Sequence, residues 1–182
     1  MIIDIFPTKI KIVKNFLTKS EINNVYCYIK KLKHTNHEAI VGNGKSTHSH
    51  FSNFLKGIKL EKKINDEVEK YCSSCDIETK KIDICWSNIQ EKNSFLKMHH
   101  HGNVPVSGAV FIKTDEKSSK LCFQNPNPHS FVTTYTIENN SHLLCYKVNT
   151  GDLFMFPGWL QHGSNYELNK SEERVVLSFN CV

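Results

Sequence analysis

From residue 81 onward the sequence is written in short runs rich in β-branched and aromatic residues. They read "KIDICWSNIQ", "FLKMHHH", "SGAVFIKT", "SKLCFQN", "SFVTTYTI", "LLCYKV", "GDLFMFP" and "ERVVLSFNCV". Turn text such as "TDEKS", "NPNP" and "NTGD" separates them. The spacing, roughly 8–12 residues, is that of an antiparallel sandwich or barrel. This half of the chain is therefore expected to form a β-barrel of the jelly-roll kind.

The first 80 residues read differently. "IIDIF" and "KIKIV" alternate apolar and polar residues around Pro7 and predict two short strands. "LTKSEINNVYCYIKKLKH" predicts a helix opened by a capping box, Thr18 with Glu21, and carrying Ile22, Val25, Ile29 and Leu32 on one face. Residues 38–53 hold glycine and serine without a period and are expected to be a loop, with His48 and His50 as loop residues. "NFLKGIKLEKKINDEVEKYC" predicts a second helix with Leu60, Ile64, Val68 and Tyr71 on its buried stripe. The fold expected is mainly β within an α+β class. It is a single domain over residues 1–182, with strands and two buttressing helices in 1–80 and the barrel in 81–182.

Composition narrows the function classes. A chain of 182 residues can bury roughly 70% of its unfolded surface in one core. No apolar run is long enough to cross a bilayer, and Asp4 and Lys9 interrupt the opening segment, which predicts no signal peptide. The net charge of +5 comes from scattered lysines without interleaved aromatics, the pattern of a solvated face rather than a nucleic-acid surface. Seven cysteines show no framework spacing, and the lone pair in "CSSC" cannot close a tetrahedral zinc site. Reduced, buried thiols and a cytoplasmic location are the expectation. Partners are expected to be a small-molecule or peptide substrate, and a homo-oligomer stays open.

Three consecutive histidines carry the chemistry. On a strand over 95–101, His99 and His101 share one face while His100 faces the other. Two imidazoles so placed can reach one metal, and His162 in "FPGWLQHG" offers a third from another strand. Pro157 and Gly158 make the turn that presents it. Such a run is also read as a solvated strand end. The last strand bears on the choice. In "RVVLSFNCV", Val175, Leu177, Phe179 and Cys181 share an apolar face, while Arg174, Val176, Ser178 and Asn180 share the other. That second face is either ordinary solvent surface or a lumen wall on which Arg174 grips a carboxylate. Trp86 and Trp159 read as core aromatics, and Gly108 suits close packing or approach of backbone to a site.

The chain resembles the 2-oxoglutarate and Fe(II)-dependent oxygenases, and within them a small branch found in bacteria and phages. The likeness rests on "DIFPTKI", "CWSN", "HHHGNVPVSGAVFI", "GDLFMFPGWLQHG" and "ERVVLSFN" in that order. It implies a double-stranded β-helix, a metal site of His99, His101 and His162 with His162 as the distal histidine, and Fe(II) as the metal. It further implies 2-oxoglutarate as cosubstrate, its C5 carboxylate on Arg174 and Asn88 on the opposite wall. The activity implied is hydroxylation of a C–H bond. Two positions depart from the family pattern. The usual first pair is His-x-Asp, whereas here His101 stands where the acid would be, so the site would be one unit more positive. The usual Arg-x-Ser is Arg174-Val175-Val176, which leaves Ser178, one inward position further on, to supply a hydroxyl.

Overall fold

Alternation along one strand organises the molecule. β11 (Glu173–Cys181) lies inside a six-stranded sheet, and its odd and even residues face two different interiors. The other strands of this sheet are β1 (Lys11–Val13), β3 (Gly44–Ser46), β4 (Ile82–Glu91), β6 (Val106–Lys113) and β9 (Leu153–Phe156). Their order is β1-β9-β6-β11-β4-β3, and each neighbouring pair is antiparallel. This computed structural model describes residues 7–50, 53–127 and 142–182. The expected strands "IIDIF" and "SFVTTYTI" lie outside those residues.

Val175, Leu177, Phe179 and Cys181 pack into a core shared with the helices α1 (Lys19–Ile29) and α2 (Lys59–Cys75). Burying each of the large ones contributes on the order of 1.5–3 kcal/mol. α1 begins at the expected capping box, with Thr18 Oγ1 accepting from the Glu21 backbone and Glu21 returning a carboxylate oxygen to the Thr18 N–H. Leu60, Ile64, Val68 and Tyr71 form the buried stripe of α2 as the period requires. α2 starts at Lys59 rather than near Asn53, because Gly57 takes a left-handed φ of 81° that a helix cannot contain. Gly108 lies in β6 where a Cβ would fall 2.2 Å from the Phe179 ring, so close packing of β6 on β11 demands glycine.

The second interior lies between the large sheet and a three-stranded one, β10-β7-β8. The latter comprises β7 (Leu121–Gln124), β8 (Leu143–Tyr146) and β10 (His162–Gly163). Phe111, Phe154, Phe156 and Val176 meet Leu121, Phe123 and Leu160 there. Two packed antiparallel sheets with helices on one outer face form the expected double-stranded β-helix. Among the described residues no helix is long and apolar enough to cross a membrane.

Several local expectations are corrected. Residues 38–53 are not a bare loop, since β2 (Ile40–Val41) pairs with β5 (Phe95–Leu96) and β3 extends the main sheet. The strand expected over 95–101 ends at Leu96 and continues only as an isolated bridge at His99. Trp159 is 49% exposed and no part of the core, because it lies on the turn before β10. Cys122 and Cys145 are opposite residues of β7 and β8 and form a disulfide, leaving five free cysteines. The cysteine set therefore gives no argument for a reducing compartment.

Candidate metal centre

Backbone pairing brings the histidines together. His99 and His162 exchange both backbone hydrogen bonds, N–H to O at 2.9 Å in each direction, which sets their side chains on one face. The His101 N–H donates to the Gly158 carbonyl at 2.7 Å, so the turn before His162 also holds the third ring in place. At Gly163 a Cβ would lie 2.6 Å from the Lys97 carbonyl oxygen, so glycine allows β10 to approach this segment. The ligand atoms of His99, His101 and His162 all lie within 4.8 Å of one another. His100 points outward, exposed, and its Nδ1 accepts from the Gly102 N–H at 3.0 Å. The alternation expected across the three histidines thus holds although the strand itself does not.

The rings are set up as lone-pair donors. His99 Nδ1 meets the Lys97 carbonyl at 2.9 Å and His162 Nδ1 meets the Leu160 carbonyl at 2.8 Å. A carbonyl only accepts, so each Nδ1 carries the proton and each Nε2 presents its lone pair. Buried His101 Nε2 has no hydrogen-bond partner among the described residues. Asn180, whose side-chain oxygen accepts from Ser107 Oγ at 2.8 Å, neighbours the His101 ring. Burial, reinforced by neighbouring histidines, lowers the pKa of all three, that of His101 to about 4 and that of His162 well below its ordinary value. Three neutral imidazoles with converging lone pairs suit a divalent cation. Trp86 stacks on His101 at 5.5 Å, and His48 stands edge-on to Trp86 at 5.0 Å. Trp86 is thus part of the site wall and not merely core.

A cavity runs from these histidines along the inner face of β11. Val176 and Ser178 line it, with Arg174 beyond them and Asn88 on β4 opposite. The guanidinium is 3% exposed and lies over the Phe111 ring at 5.2 Å, and burial pushes its pKa down to about 10. Arg174 Nη1 donates to Gln90 Oε1, its cross-strand partner. Arg174 Nε and Gln90 Nε2 are buried without a hydrogen-bond partner among the described residues. Gln90 and Ser107 escaped the sequence reading of the site, whereas Asn180 already stood on the face of the last strand read as either solvent surface or lumen wall. For Gln90 a signal existed: Trp86, Asn88 and Gln90 alternate along β4 just as Arg174, Val176 and Ser178 do along β11.

Fold and cavity together define the class: a double-stranded β-helix with a candidate metal site at one end and a buried cation at the other. The chain belongs to the 2-oxoglutarate/Fe(II) oxygenases, since residues 84–180, more than half of it, match the family described as "Putative 2OG-Fe(II) oxygenase". It is accordingly an oxidoreductase whose cofactors are Fe(II) and 2-oxoglutarate. No curated protein matches the sequence. Among solved structures it is similar to HygX from Streptomyces hygroscopicus with nickel and 2-oxoglutarate bound. That likeness has a TM-score of 0.66 at 10% identity and covers 96% of this chain and 82% of that one. The viral collagen prolyl hydroxylase vCPH from Paramecium Bursaria Chlorella virus-1, in its 2OG complex, gives 0.63 at 13% identity over 94% of each chain. A Pseudomonas putida prolyl-4-hydroxylase gives 0.68 at 9% identity, covering 96% of this chain and 92% of that one. At such identities these likenesses speak for the fold.

Proposed function

We propose that His99, His101 and His162 hold the Fe(II) of this oxygenase and that Arg174 binds the far carboxylate of 2-oxoglutarate. Asn88 and Ser178 line the wall between them and hydrogen-bond the cosubstrate along its length. One observation carries the reading. Polar atoms without partners lie buried at both ends of a single cavity, a ring nitrogen at one end and a guanidinium nitrogen at the other. Bound iron supplies the redox chemistry, in which O2 and 2-oxoglutarate are consumed as a C–H bond of a second substrate is hydroxylated.

The protein's own part follows from its residues. The backbone pair between His99 and His162 fixes two ligands before any ion arrives, and carbonyl-held Nδ1 protons keep their lone pairs aimed. Arg174 sets the orientation of a dicarboxylate by gripping one end, so that the other end is delivered to the histidines. Phe111, Phe156, Leu121 and Val176 surround the cavity with apolar surface and keep water from the reacting centre. With three histidines and no carboxylate, the metal site holds one unit of charge more than a site with an acid.

Calorimetry on anaerobic, Fe(II)-loaded protein tests the assignment. Wild type is expected to bind 2-oxoglutarate, and Arg174→Ala to weaken it by tens-fold or more, with metal content and fold intact. The loss corresponds to the order of 2–5 kcal/mol for removing one side of a buried charged contact. Wild-type protein that ignores 2-oxoglutarate at about 1 mM would overturn it. A three-histidine oxygenase that uses Arg174 for the carboxylate of its own substrate would then take its place.

A further inference from the structure

Arg174 has a neutral companion whose placement nothing in the preceding assignment uses. Gln90 is 1% exposed and sits directly across from Arg174 in the β4–β11 register. A guanidinium can only donate, so the amide oxygen of Gln90 must be the atom that faces it. This orientation turns Nε2 away from Arg174, and Nε2 is buried with no hydrogen-bond partner among the described residues. Arg174 Nε is in the same condition, and both side chains line the cavity. Buried donors of this kind are rarely left unmet in a native protein and call for a ligand acceptor.

The nearest inward residues of β11 and β6 offer nothing equivalent. Val176, the next inward position, has no polar atom, and Phe111 presents only a ring face to the guanidinium. Ser178 lies four residues along β11, roughly 13 Å from Arg174, where its cross-strand partner is Trp86 beside the histidines. The charge balance fits an anion, since among the described residues the guanidinium hydrogen-bonds an amide and makes no ion pair, Glu167 attracting it only from beyond ion-pair distance. We infer that Gln90 is a second cosubstrate-binding residue, its Nε2–H donating to the same carboxylate that Arg174 grips. The pair then forms a fork, one arm charged and one neutral, that recognises a carboxylate at the far end of a keto acid. This inference rests on the proposed placement of 2-oxoglutarate.

Binding to Fe(II)-loaded, anaerobic protein distinguishes it from that placement. Two ligands serve as probes: 2-oxoglutarate, and pyruvate, which has the same keto-acid head but no far carboxylate. Gln90→Met, which keeps size and removes both polar atoms, is expected to weaken 2-oxoglutarate about tenfold and leave pyruvate and metal affinity within twofold. Gln90→Glu, which supplies Arg174 with an internal anion, is expected to abolish 2-oxoglutarate binding and again spare pyruvate. On wild-type protein, the Gln90 side-chain amide resonances are expected to shift with 2-oxoglutarate and not with pyruvate, a reading that needs no variant. Gln90→Met binding 2-oxoglutarate as wild type does, or unmoved amide resonances, would overturn the inference alone if Arg174→Ala still weakens binding by tens-fold or more. If Arg174→Ala also binds normally, the cosubstrate placement itself has failed.

Discussion

At one end of the cavity three neutral imidazoles converge, and at the other a buried guanidinium hydrogen-bonds a neutral amide. The first end is held in position without a ligand, since burial keeps each ring uncharged and backbone carbonyls fix two of the tautomers. The second end carries a buried charge hydrogen-bonded to a neutral amide and, among the described residues, two unmet donors. On the proposed reading the difference teaches how the site divides its work: the histidine end is preorganised by the backbone, and the arginine end would be completed by its ligand. One strand, β11, serves both, with Asn180 behind His101 and Arg174 at the far rung.

The sharpest way to break this comparison is to delete a ligand at the preorganised end. His162→Ala is expected to reduce metal affinity by more than about a hundredfold, whereas His100→Ala should stay within about twofold; elemental analysis after dialysis checks both. Equal losses in the two variants would mean that the outward placement of His100 is wrong. At the opposite end, replacing Arg174 and Gln90 together by Met and Leu removes a charge and its acceptor at once. The apoprotein is expected to gain about 1–3 kcal/mol of stability in denaturant melts while losing 2-oxoglutarate binding. A destabilised double variant would show that the end is already satisfied without ligand.

Adding the missing acid probes the electrostatic side. His101→Asp is expected to tighten Fe(II) binding about tenfold in apoprotein titrations, because a carboxylate offsets one unit of metal charge. Unchanged affinity would place His101 outside the coordination sphere. The smallest effect concerns Glu173, one residue before Arg174 but on the outer face. Burial alone would raise its pKa, yet Lys30 at 2.5 Å, Tyr26 at 2.6 Å and Lys113 at 2.9 Å outweigh that and hold it at about 2. A folded pKa below the ordinary value contributes stability above about pH 5 that fades as the pH falls toward 2. Glu173→Gln is therefore expected to cost about 1 kcal/mol at pH 7 and almost nothing near pH 2, read from thermal melts across pH.

Much of this was legible in the sequence wherever a single strand or helix carries its own period. The two faces of β11, the outward turn of His100 and the capping box at Thr18 all follow from spacing alone. What escaped depends on register between distant segments. Gln90 matters because it falls opposite Arg174, and Cys122 is oxidised because it falls opposite Cys145. The strand at Gly44–Ser46 exists because β4 offers it an edge, which its own glycine- and serine-rich text does not announce. Trp159 read as core by residue type, yet its place on the turn before β10 leaves it half exposed.

The reciprocal bridge between His99 and His162 has a mechanical consequence. These residues are 162 − 99 = 63 positions apart, and the segment between them includes β6, β7, β8 and β9. An ion shared by both is a reversible staple that closes this long loop, and it adds to folding stability in proportion to the logarithm of metal concentration over Kd. Starved of metal, the barrel should open first at this seam, with the His99 and His162 amides exchanging with solvent before those at the centre of β11. Iron supply would then set the lifetime of the folded chain as well as its chemistry.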